Sequence, residues 1–127
     1  MKHKLPNSAT PLDMLSLFLP SGLLDYFDLV NHVSQETCFI LFLEEKPSIP
    51  QEYSHLHLHS KGFFPEIEVQ DFPIRGKAVY LRVKRRRWED PETGQTYSRD
   101  WNLVASGTRI TAEFGAFLKV LLGQSCG

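Results

Sequence analysis

Eight cations crowd one stretch of this 127-residue sequence: Arg75, Lys77, Arg82, Lys84, Arg85, Arg86, Arg87 and Arg99 lie between Asp71 and Trp101. Against them stand Asp71, Glu89, Asp90, Glu92 and Asp100. Guanidinium and ammonium groups at this density neutralise phosphates, and a guanidinium fork matches a guanine edge. Trp88, Tyr97 and Trp101 are interleaved with them and offer flat faces to bases or to guanidinium planes. A second arrangement with chemical potential is His55-Leu56-His57-Leu58-His59. Strand spacing puts three imidazoles on one side, a geometry open to zinc. A closed zinc site takes a fourth ligand, and no cysteine lies near in the sequence. An amphipathic strand with inward leucines gives the same pattern. His55, His57 and His59 are therefore weak metal candidates, and no cofactor is expected.

The overall charge hides the asymmetry. The net charge is −1, yet residues 1–73 carry −6 and residues 74–110 carry +5. Such a division points to an anionic partner for one face or to one half docking on the other. The run is equally readable as a solvated edge strand protected by its charge. No Gly-rich phosphate loop, nucleophile elbow or His-Glu metal motif is present, so an enzyme is not expected. Cys38 sits among Phe39, Ile40 and Leu41 and reads as a small buried hydrophobe, while Cys126 lies in a polar tail. Two cysteines make no disulfide framework, and the apolar runs are far shorter than a membrane span. The sequence reads as soluble and cytoplasmic, with no membrane partner.

The elements that must carry the cations follow from periodicity. Residues 1–9 read as a flexible arm and 10–123 as one α+β domain, followed by a 124–127 tail. Thr10-Pro11-Leu12-Asp13 reads as a helix start, ended by Pro20, and Ser21 caps a second short helix carrying Leu23, Leu24 and Phe27. Residues 29–43 predict a β-hairpin whose second strand, apolar on both faces, lies inside the sheet. Glu44 to Pro50 reads as a loop. Another strand runs through Phe63, Phe64, Ile67, Val69 and Phe72, and Arg75-Gly76 forms a turn. Beyond it Val79, Leu81 and Val83 alternate with Tyr80, Arg82 and Lys84. Arg85 and Arg87 occupy the inward phase, so the strand must leave the core there, because an unpaired buried arginine is too costly.

The basic hairpin then spans 76–101, turning at Asp90-Pro91-Glu92-Thr93-Gly94 and returning along 95–101. In that register Trp88 faces Tyr97 and Arg86 faces Arg99. The facing like charges require compensation by Asp90 and Asp100 or by an external anion. A helix through Ile110, Phe114, Phe117, Leu118, Leu121 and Leu122 closes the chain. The expected fold is a small, mainly antiparallel sheet with two short N-terminal helices and a C-terminal helix.

Three runs carry a family resemblance: Gln70 to Leu81 (QDFPIRGKAVYL), Lys84 to Trp88 (KRRRW) and Ser98 to Val104 (SRDWNLV). With the Leu19 to Phe27 stretch, they resemble the N-terminal-region proteins of ISAon-type insertion-sequence transposases. More distantly, the chain is similar to the zinc-ribbon domain of ISL-type transposases, with Glu89 to Gly94 where a cysteine pair is expected. The resemblance implies a degenerate ribbon that has lost its metal. It implies a non-catalytic DNA-binding component that recognises transposon ends and positions a separately encoded DDE subunit. The contact set would be Arg75, Lys77, Arg82, Lys84, Arg85, Arg86, Arg87 and Arg99, with Trp88 and Trp101 bracing the ribbon or stacking. The implied partners are DNA, the DDE subunit and a further copy of the chain, at the bacterial nucleoid. An adaptor without DNA contact is the alternative, with the acidic half and the Leu-rich helices binding the catalytic subunit.

Overall fold

The computed structural model describes residues 19–20, 22–101, 104 and 112–123. Its larger sheet has the order β1 (Phe27–Ser34), β2 (Cys38–Glu45), β5 (Lys77–Lys84), β4 (Ile67–Ile74). Two antiparallel hairpins, β1–β2 and β4–β5, join through a parallel β2–β5 seam that pairs Leu41 with Leu81 and Leu43 with Val83. These central strands are the most apolar, and lying side by side gives each a neighbour on both edges. One face of the sheet buries Leu41, Leu43, Val69, Val79, Leu81 and Val83. Against it pack Phe114, Phe117, Leu118 and Leu121 of helix α1 (Ala112–Gly123), together with Leu23, Phe27 and Trp101. Their spacing on α1 is the i, i+3, i+4, i+7 stripe expected of a helix with one covered side.

The smaller sheet has the order β3 (His59–Phe63), β6 (Arg86–Glu89), β7 (Thr96–Tyr97). The chain crosses from one sheet to the other at Arg85, the single residue between β5 and β6. This is the departure from the core that the phase break predicts. After it the alternation resets, with Trp88 buried and Arg87 only half-buried.

Several expected elements take another form. The helix predicted at Leu23–Phe27 is a single 3-10 turn, Leu23–Asp25, and Phe27 already opens β1. The helix predicted over residues 10–20 lies almost wholly outside the described residues. The run from Phe63 to Phe72 is two strands in different sheets, separated at Phe64–Glu66 where Pro65 lacks a ladder donor. The 76–101 hairpin divides between two sheets, and its return is only Thr96–Tyr97. Trp88 does face Tyr97, as predicted. Residues 44–45 continue β2 instead of opening a loop.

The β4–β5 hairpin closes on two residues, with Ile74 paired to Lys77 and both Arg75 (φ 52°) and Gly76 (φ 79°) left-handed. That is the turn type whose twist matches the flanking strands, and it ordinarily takes Asn or Gly first. An arginine there costs about 1 kcal/mol relative to a residue that tolerates the conformation.

Candidate nucleic-acid interface

Hydrogen bonds and ion pairs sort the cations into two sets. Arg82, on β5, donates from Nε to Glu68 Oε1 at 2.8 Å and lies 3.7 Å from Glu66. Glu68 is its cross-strand partner on β4. Arg86 and Arg99 converge on Glu45, the last residue of β2, which is 1% exposed. Glu45 Oε2 accepts from Arg99 Nε at 2.9 Å, and Oε1 accepts from the Arg86 backbone N–H at 2.9 Å. The Glu45 carbonyl accepts from Arg86 Nε at 3.0 Å, and Arg86 also donates to Ser60 Oγ. Arg86 and Arg99 both reach Glu45, 41 and 54 residues away, but they are not cross-strand partners: Arg86 pairs with Phe63 of β3, and Arg99 lies beyond the end of β7.

Arg99 sits among the rings of Tyr26, Trp88 and Trp101, with centroids 5.2, 5.8 and 5.7 Å from its Cζ. Its Nη2 donates to the Ser48 carbonyl at 2.8 Å. Burial pushes the Glu45 carboxyl above the ordinary range, while the bonds from Arg99 and Arg86 pull the other way. This ionic centre clamps the small sheet to the large one. Trp88 and Trp101, 1% and 4% exposed, are part of that packing, and their rings offer no face to a base. They brace the structure; they do not stack on nucleic acid.

The second set has no acid partner among the described residues: Arg75, Lys77, Lys84, Arg85 and Arg87. Arg85 lies 5.5 Å from the Phe64 ring centroid, and its guanidinium donates no hydrogen bond; Nε is shielded from solvent without an acceptor. Burial lowers its pKa, partly countered by the charge of Glu45. Arginine nevertheless stays protonated, so this is a half-buried cation with no acid hydrogen-bonded to it among the described residues. Arg87 donates from Nη2 to the Lys61 carbonyl at 3.2 Å, and its Nε also lacks an acceptor. Lys61, on β3, brings another ammonium to this side, 3.4 Å from Glu89. At the other end of β5, Lys77 lies over the Phe39 ring at 4.1 Å and donates to Ser34 Oγ, while Arg75 is exposed at the turn.

Sequence reasoning missed Glu45 and Lys61. Glu45 continues the inward phase of Leu41 and Leu43, so the alternation carried two residues further would have buried it. Nothing local marks Lys61, because only the pairing of β3 with β6 brings it here. His55, His57 and His59 are exposed, with Leu58 buried and Leu56 half-buried between them, and of the three only His59 lies on a strand. No group of three His, Cys, Asp or Glu among the described residues is placed to hold a metal. No helix among the described residues is long and apolar enough to cross a membrane.

The other face of the large sheet is less deeply buried among the described residues. Ile40 and Phe42 on β2 and Tyr80 on β5 are half-buried there, and Val30 and Val33 on β1 are exposed. Comparison with protein-family models, curated proteins and solved structures returns no match.

Proposed function

We infer that this chain is a non-catalytic DNA-binding component of a split insertion-sequence transposase, recognising transposon ends and positioning a DDE subunit encoded elsewhere. The observation that supports DNA binding is Arg85: a half-buried arginine whose Nε is shielded from solvent without an acceptor, at the point where the chain changes sheets, with Lys84 and Arg87 flanking it in the sequence. Leaving such a group without a partner is costly, and a phosphate oxygen supplies both the charge and the hydrogen bonds. The assignment to transposition is supported by the resemblance of residues 70–104. The contact set narrows to Arg75, Lys77, Lys84, Arg85 and Arg87. Salt titration of duplex binding tests it: three or four phosphate contacts give a log–log slope of about −3 to −4. A flat response rejects DNA binding.

The face carrying half-buried Ile40, Phe42 and Tyr80 and exposed Val30 and Val33 favours a second reading, a protein adaptor of the same machinery. Capture of the catalytic subunit at low salt by a chain that binds no duplex would select the adaptor.

A further inference from the structure

The cations without acid partners form two clusters, not one stripe. Lys84, Arg85 and Arg87 lie at one end of β5, and Arg75 and Lys77 at the other. Between Lys77 and Lys84 are seven strand steps, about 23 Å at roughly 3.3 Å per residue. The cation between them, Arg82, is taken by Glu66 and Glu68. The far cluster also sits on a turn whose first residue is left-handed without being glycine or asparagine. No described residue accounts for that choice: Arg75 is exposed and has no hydrogen-bond or ion-pair partner among them. A residue kept in an unfavourable conformation where a commoner one would relieve it points to a role outside the fold.

We propose that the Arg75 turn is a second, separate phosphate contact, so that the chain requires an extended, stiff polyanion long enough to reach both ends of β5. This rests on the DNA-binding reading and deepens it. A short anion satisfies one cluster only. A duplex, at 3.4 Å per base pair along each strand, needs about seven base pairs to bridge them. An unstructured acidic peptide pays an ordering cost to hold the same span, which favours duplex.

The test uses the full chain and Arg75→Asn, which removes the charge and suits the turn, with stem-loop DNAs of about 5 and about 12 base pairs bracketing the required length. The variant is expected to melt a few degrees higher than the parent, which shows that it folds. It should bind the longer stem about fivefold more weakly, with a salt slope shallower by about 0.9, and the shorter stem unchanged. Arg75→Lys should recover most of the lost affinity. Equal binding of the longer stem by parent and Asn variant overturns the proposal, as does an equal loss on both stems. Failure of the parent to bind either stem overturns the DNA-binding reading itself, and this proposal with it.

Discussion

Arg85 and Arg86 are neighbours in sequence with opposite fates. Arg86 donates to Glu45 and Ser60, while Arg85 lies over the Phe64 ring with its Nε shielded and without an acceptor. The same division separates the whole basic stretch. Arg82, Arg86 and Arg99 are tied to acids of the chain or to their backbone, whereas Lys84, Arg85 and Arg87 are not. A cluster of like charges in a sequence is therefore two populations in a fold, one bonded to acids of the chain or to their backbone and one with no acid bonded to it among the described residues.

Three experiments bear on that division. The largest effect should come from Glu45→Ala, which leaves Arg99 in its ring of aromatics and the Arg86 N–H without their acceptor. Breaking a buried pair of this kind costs about 3–5 kcal/mol, read from chemical denaturation. Glu45→Gln gives the pH sign. The folded-state pKa of Glu45 is raised, so its contribution is fully present below the unfolded carboxyl value and lost as pH rises through the folded one. The penalty for the Gln variant should thus be larger in mild acid than at neutral pH. A penalty that grows with pH would show that the arginines outweigh burial.

Next comes the Arg85→Ala, Arg87→Ala double variant, expected to keep the parent stability within about 1 kcal/mol. It should also lose about 1.8 from the salt slope of duplex binding, two contacts at roughly 0.9 each. A large loss of stability would move these residues into the structural population. The smallest effect belongs to Arg82→Ala. Its half-exposed pairs with Glu66 and Glu68 are worth about 0.2–1 kcal/mol, and duplex affinity should hold or rise slightly.

Local signals were readable where neighbours in sequence are neighbours in space. The alternation of Val79, Leu81 and Val83, the break at Arg85, the Arg75-Gly76 turn and the Trp88–Tyr97 register all came from short windows and match the strands. What escaped is non-local. Nothing around Cys38 or Ala78 announces that they are parallel partners, since that seam is fixed by how two finished hairpins dock. For the same reason the basic hairpin was drawn as one ribbon when its two halves belong to different sheets. Glu45 was lost because a charged pair before a proline reads as a loop, and only the distant Arg86 and Arg99 make its burial tolerable. The candidate site was legible as a set of residue types, but which of them are spoken for depended on that one carboxylate.

The position of Glu45 also couples surface to scaffold. If the small sheet swung away, this carboxylate would be released beside Arg85, whose cation already feels its charge. On the DNA-binding reading, an opened form would carry its own competitor for phosphate, and docked sheets and a receptive basic surface would belong to the same conformational state.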